Sequence, residues 1–336
     1  MIRVPELAAA AMVCSLAMAV HAQTSPTAPS QTPSSSSGQV FPWKPIRLVS
    51  GTTPGSASDT MARVISEPLQ SRLGQPVIVE NRLGAGGVIA ASYVAKAEPD
   101  GHTISVYTSA LTVVPYTSNP PFDALKDFAP VATLVTIPNV LVVSPAKGYK
   151  TVGDLVATAK AKPGQLNFSS AGLGSSTHMG GEKFRFAAGI DTVHVPYKGA
   201  PEAMMDVITG RVDYTFAPIV SVLPLIREGK LHALAVGTAK RTTALPDVPT
   251  TVEAGYVGSD YNFWVGLLVA AKTPPETVNR LHDEVTRVLQ LSTVRERIEK
   301  LGAEVLTMSR TDFEAMIGRE LDENAKLAKA AGINAN

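Results

Sequence analysis

From Trp43 onward, short apolar runs alternate with stretches whose apolar residues recur at helical spacing. That alternation constrains the fold more than any other feature, because it is the pattern of an α/β protein with mostly parallel sheets flanked by helices. Ile46-Arg47-Leu48-Val49 reads as a first strand, and residues 59–73 as a helix with Met61, Ala62, Ile65 and Leu69 on one face. Residues 77–79 and 103–107 read as further strands around a helix over 88–96. A second unit opens at Val140-Leu141-Val142-Val143. In it Thr151-Val152-Gly153-Asp154 has the form of a capping box starting a helix. Short strands at 167–169, 193–195, 214–216 and 234–236 follow, then a strand over 265–269 and helices over 275–289 and 312–330. At ~150 residues per domain, the 336 residues allow about two domains.

The N-terminus reads differently. Arg3 precedes an apolar run over 7–20 that ends in Val20-His21-Ala22, the arrangement of a secretory signal peptide cut after residue 22. The single cysteine, Cys14, lies inside it, so the mature chain is expected to carry no disulfide, thiolate metal site or cysteine nucleophile. Residues 23–42, mostly Ser, Thr, Pro and Gln without charge, read as a disordered linker, since they bury too little apolar surface to offset their ordering entropy. No other run reaches the ~18 apolar residues of a membrane span. With 30 basic and 29 acidic residues the net charge is +1, too small for a nucleic-acid or anionic-membrane binder. The expectation is a periplasmic protein without stable membrane insertion.

Catalytic spacings are absent: there is no G-x-S-x-G, no P-loop and no H-E-x-x-H. The nearest approach is Gly174-Ser175-Ser176-Thr177-His178, which leaves open an exported serine hydrolase using Ser175 or Ser176 with His178. Such close spacing at a helix start does not readily let the hydroxyl and imidazole share a proton. A recurring pattern says more. Small, donor-rich loops without a cation follow strands and precede helices, once over 51–59 (Gly51, Thr52, Thr53, Pro54, Gly55, Ser56, Ala57, Ser58, Asp59) and once over 170–177 (Ser170, Ala171, Gly172, Leu173, Gly174, Ser175, Ser176, Thr177). Unpaired N–H groups and the positive dipole end at a helix start hold carboxylates without Lys or Arg. Tight glycine turns of a doubly wound sheet are the bland account of either loop alone. Two of them facing each other across a crevice make a binding site. Asn81-Arg82-Leu83-Gly84-Ala85-Gly86-Gly87 lacks the G-x-G-x-x-G order and reads as a structural turn, and Trp264 as a core or hinge residue.

The motifs Trp43-Lys44-Pro45-Ile46-Arg47-Leu48-Val49, Val79-Glu80-Asn81-Arg82-Leu83-Gly84-Ala85-Gly86-Gly87, Pro138-Asn139-Val140-Leu141-Val142-Val143, His194-Val195-Pro196-Tyr197-Lys198-Gly199 and Ala244-Leu245-Pro246-Asp247-Val248-Pro249-Thr250 resemble those of the Bug receptors, the periplasmic solute-binding subunits of tripartite tricarboxylate transporters. The resemblance implies a Venus-flytrap fold whose chain crosses twice between lobes: 43–137 plus 262–336 in lobe 1, 138–261 in lobe 2. It implies a small carboxylate ligand, no catalysis, no cofactor or metal, a monomer, and a membrane permease as partner, a sensor kinase being the alternative. By motif, the clamp comprises residues 52–59, with Thr52, Thr53, Gly55, Ser56, Ala57, Ser58 and Asp59, and residues 170–178, with Ser170, Ala171, Gly172, Gly174, Ser175, Ser176, Thr177 and His178, while Thr108, Ser109, Ala110, Tyr197 and Lys198 form secondary walls. The family's first loop usually reads close to P-F-P-P-G-G, so Thr52 and Thr53 add hydroxyls that could favour ligands with a second polar group.

Overall fold

The computed structural model describes residues 40–261 and 263–330. The expected leader and most of the expected linker, residues 1–39, lie outside the described residues, as does the lobe boundary at 262. The fold starts two residues earlier than the composition suggests. Phe41 and Pro42 are buried, and the Phe41 ring meets His102 edge-on with centroids 4.8 Å apart, so the end of the expected linker is part of the core.

The first half of the chain runs β1 (Ile46–Ser50), α1 (Ala57–Leu73), β2 (Val77–Asn81), α2 (Val88–Ala95), β3 (Thr103–Thr108), a 3₁₀ turn at Ser109–Thr112, α3 (Val114–Thr117) and β4 (Phe128–Ile137). Pro138 passes the chain to β5 (Asn139–Val143), α4 (Val152–Ala161), β6 (Asn167–Ser170), α5 (Ser176–Ala188), β7 (Val193–Pro196), α6 (Ala200–Ile208), β8 (Tyr214–Pro218), α7 (Ile219–Arg227) and β9 (His232–Val236). It then returns as β10 (Phe263–Ala270), α8 (Pro275–Gln290), α9 (Ser292–Lys300), β11 (Glu304–Val305) and α10 (Arg310–Ala330). The strands form two sheets, six-stranded β11-β4-β10-β3-β1-β2 and five-stranded β7-β6-β8-β5-β9. Each sheet with its helices is one lobe of a two-lobed α/β fold.

Both sheets are mixed, with a smaller parallel share than the alternation of runs suggests. Parallel pairing is confined to β2-β1-β3 and to β7-β6-β8, while β10, β4 and β11, and β5 with β8 and β9, pair antiparallel. The crossings explain it. A strand that carries the chain out of a sheet and one that brings it back run in opposite directions, and β4 and β10 lie side by side over eight residue pairs. Local signals act as the sequence indicates: Thr151 and Asp154 close a reciprocal capping box on α4. Gly237 N–H donates to the Asn139 carbonyl and Tyr261 N–H to Gly237, which ties the segment after β9 to the second sheet. One apolar cluster runs through both lobes, joining Leu48, Met61, Ile65 and Val265 of the first to Val140, Met204, Ile219 and Val236 of the second. The lobes are therefore packed together.

Candidate functional site

The carboxyl ends of β1, β3, β6, β7 and β8 converge between the lobes, and a cavity of about 40 Å³ lies where they meet. Its wall is built from Thr52, Ser56, Ala57 and Ser58 after β1, Gly86, Thr108, Ala110 and Phe263, with Ala171, Ser175, Ser176, Thr177, Ala200 and Pro218 opposite. No charged side chain is among these. The wall is hydroxyls, small apolar groups and helix starts.

The first loop is fixed by a carboxylate. Asp59, 2% exposed, is the third residue of α1 and accepts from Gly55 N–H (2.9 Å), Asn81 Nδ2 (2.9 Å) and the Arg63 guanidinium (2.9–3.1 Å). Burial, the largest single influence, pushes its pKa up, but the hydrogen bonds from Arg63, Gly55 and Asn81 together outweigh it and hold the group below the usual carboxylate range. Ser50, Thr52 and Ser58 form a chain of hydroxyls at 2.7–3.2 Å. Ser56, the N-cap of α1, makes no side-chain cap, so the first-turn N–H groups of Ala57 and Ser58 have no intrahelical partner and sit in the cavity wall.

The second loop is fixed by neutral groups. Ala171 N–H donates to Thr177 Oγ1 (2.8 Å), Gly172 N–H to Ser170 Oγ (3.1 Å), Gly174 N–H to His178 Nδ1 (3.2 Å) and His178 N–H to Ser175 Oγ (3.2 Å). The N–H groups of Ser176 and Thr177 at the start of α5 remain, in residues that line the same cavity as Ala57 and Ser58 of α1. Two helix starts thus present positive dipole ends to one small cavity, an arrangement that stabilises an anion without a cationic side chain.

The structure brings Thr52, Ser56, Ala57, Ser58, Thr108, Ala110, Ala171, Ser175, Ser176 and Thr177 of the expected site to this cavity. Other expected contacts have different places. Asp59 and Gly55 are bound to each other, and His178, Gly172, Gly174 and Ser170 hold the second loop from behind. Thr53 reaches across to the other lobe, where its Oγ1 donates to Glu202 Oε2 (3.1 Å). Ser109 faces a separate crevice of about 290 Å³ shared with Tyr261 and Glu320 of α10. Tyr197 donates its hydroxyl to Asp206 (2.5 Å), and Lys198 is exposed. No hydrogen bond joins Ser175 or Ser176 to the His178 ring, which removes the geometric basis of the hydrolase alternative: Ser175 Oγ meets Thr177 Oγ1 (2.9 Å) and caps α5.

Sequence reasoning missed Gly86, Ala200, Pro218 and Phe263. Gly86 had a signal, the Gly84-Ala85-Gly86-Gly87 run, but its role comes from the other lobe. A Cβ on Gly86 would lie 2.6 Å from the Leu173 carbonyl oxygen, and one on Gly174 2.5 Å from Thr117 Oγ1. A Cβ on Gly199 would collide with Thr53 Oγ1. Glycines stand where the lobes meet, Gly86 against backbone and Gly174 and Gly199 against threonine side chains.

A two-lobed binding protein with an uncharged, donor-rich cleft is the class this geometry defines. The family model of the tripartite tricarboxylate transporter family receptor matches residues 61–333, and the chain belongs to that family. BugT of Bordetella pertussis is 33% identical over 302 residues, covering 88% of this chain and 92% of BugT. A solved structure from R. palustris with adipate superposes with a TM-score of 0.85 at 33% identity, over 88% of this chain and 99% of that one. MatC from Rhodopseudomonas palustris with bound malate superposes with a TM-score of 0.80 at 32% identity, over 84% of this chain and 98% of MatC.

Proposed function

We propose that this protein is an extracytoplasmic receptor that captures a small organic carboxylate between its lobes, catalyses nothing, and delivers the ligand to a membrane permease. The observation that carries the reading is the pair of helix starts, α1 and α5, with unpaired first-turn N–H groups in a cavity lined by hydroxyls and no charged side chain. The printed ligands of two relatives, adipate and malate, are of this chemical class.

The cavity is walled by residues of both lobes, so the lobes separate to admit the ligand and close around it. On this reading lobe 1 comprises 43–137 and 262–336, lobe 2 comprises 138–261, and the motion is a hinge at the two crossings. Among the described residues no helix is long and apolar enough to cross a membrane.

The test is calorimetry on purified protein, freed of co-purified ligand by unfolding and refolding, against C3–C6 mono-, di- and tricarboxylates and amino acids. Binding of at least one carboxylate near a Kd of about 1 μM, equivalent to about −8 kcal/mol, is expected. A folded protein that binds none of them sinks the reading. Ligand-dependent recovery of a permease from solubilised membranes is expected; recovery of a sensor kinase instead would reassign the partner.

A further inference from the structure

Two imidazoles from different elements meet beneath the second loop. His178 lies in the first turn of α5 and His194 on β7, and their rings stack with centroids 4.1 Å apart and planes 20° apart. Phe168 of β6 stacks on His194 at 4.8 Å. Each ring holds the loop at a different point. His194 Nε2 lies 2.6 Å from Ser170 Oγ, which itself accepts from Gly172 N–H, while His178 Nδ1 accepts from Gly174 N–H.

This bracing requires an unprotonated acceptor. His178 Nδ1 can take the Gly174 proton only while it carries none of its own, which places the ring's single N–H on Nε2, 3.8 Å from Glu182 Oε1. The charged and titratable neighbours offer a second proton little help. Glu182 is bound to Arg185 at 2.7 Å on the same helix, Arg185 also approaches Asp191 at 3.9 Å, and the Tyr214 ring of β8 lies beyond Phe168. Two imidazolium rings stacked at this distance would repel each other. Burial, the His194 charge and Arg185 push His178 down to about 3, and burial and Arg185 push His194 down to about 4.

We propose that His178 and His194 are positioning residues for the second-lobe wall of the cavity: as a neutral stacked pair they fix the backbone that presents the Ser176 and Thr177 N–H groups, and protonating His178 at Nδ1 withdraws those donors while the rest of the chain stays folded. The consequence for ligand rests on the carboxylate reading above, whereas the effect on the loop does not.

The experiment uses ligand-free, isotope-labelled protein followed by NMR from about pH 7 to about pH 2, over the part of that range in which near-UV circular dichroism shows an intact fold. The imidazole nitrogens and the amides of Gly174, Ser176 and Thr177 are expected to move with shared midpoints, while those of Ala57 and Ser58 stay in place. At pH 7, His178→Phe, which keeps a ring but no acceptor, is expected to speed exchange of the Gly174 amide at least tenfold and leave later turns of α5 unchanged. His178→Asn, which restores an acceptor, is expected to return it to within about threefold of wild type. Loop amides that ignore the imidazole midpoints, or an Asn variant no slower than Phe, overturn the proposal. If the Phe variant does not fold, the wild-type titration decides. Adipate calorimetry on the same samples bears only on the ligand class, so failure of one idea is told from failure of the other.

Discussion

The two loops that wall the cavity reach the same end by different chemistry. In the first, a buried carboxylate does the bracing, tied to a half-exposed guanidinium. In the second, hydroxyls and two imidazoles do it with no net charge. Both consume the N–H groups upstream of the helix and leave those of its first turn for the cavity. The difference teaches that a donor-rich loop does not offer all its donors: most are spent on holding the shape that aims the few left over. It also gives the loops opposite protonation requirements, and so different weaknesses.

Acidification separates them most. The imidazoles have folded pKa values below the ordinary 6.5, so the unfolded chain binds protons more readily below that pH, and the stability they confer is full above it and lost as pH falls toward 4 to 3. Asp59 has a lowered folded pKa, so its contribution persists above the ordinary 3.8 and is lost only below it. The second loop therefore fails first. Stability is expected to fall between about pH 6.5 and pH 4 with a slope of no more than ~1.4 kcal/mol per pH unit and site. Urea titrations across that range measure it, and His178→Asn is expected to flatten the slope. A slope identical in wild type and variant removes the distinction between the loops.

Asp59→Ala attacks the other brace. It strands Gly55 N–H and Asn81 Nδ2, and about 2 kcal/mol of stability is expected to go, less than for a fully buried pair because Arg63 is half exposed. Equilibrium unfolding at pH 7 measures this, and a change within error would mean that the first loop holds itself. Gly86→Ala tests whether both loops must meet. The new Cβ strikes backbone, the Leu173 carbonyl, and Gly86 has φ +64°, so the lobes are expected to rest further apart. A larger radius of gyration by X-ray scattering and a roughly tenfold loss of carboxylate affinity, about 1.4 kcal/mol, are expected. Gly174→Ala is milder, since its new Cβ meets the Thr117 hydroxyl, a side chain that can turn away.

Alternation of apolar runs and helix caps made β1–β3, α1, α4, α8 and both loops legible in the sequence, because strand, cap and turn signals are local. The ten-residue β4 was not read as a strand; its core position is set by pairing with β10, more than a hundred residues later. The same limit applies in the site. A sequence shows that Asp59 and His178 stand near helix starts, but whether they face ligand or brace a loop depends on Asn81 and His194, which arrive from other strands. Gly86 and Glu202 matter only because the second lobe comes to meet the first.

Thr52 and Thr53 make the finest test of how the loops share their work, since adjacent hydroxyls face different ways. Thr52 is in the cavity wall, with Oγ1 bonded to Ser58 Oγ at 2.7 Å. Thr53 instead bonds Glu202 in the first turn of α6, beside a second cross-lobe bond from Ser221 Oγ to the Gly55 carbonyl (3.1 Å). Because Glu202 is exposed, the Thr53 bond contributes only about 0.5 kcal/mol to closure. Thr53→Val is therefore expected to weaken every carboxylate alike by about two- to threefold, leaving their ranking unchanged. Thr52→Val removes a polar atom from the cavity wall, where, once the lobes have closed on a ligand, an unpaired ligand hydroxyl is disfavoured, and is expected to shift preference from hydroxy acids such as malate toward plain diacids. Calorimetry of both variants against malate, succinate and adipate separates the two roles. If Thr53→Val reorders the ligands, or Thr52→Val weakens them all equally, the hydroxyl next to Glu202 is the one that sets specificity and the assignment made from the cavity wall is reversed.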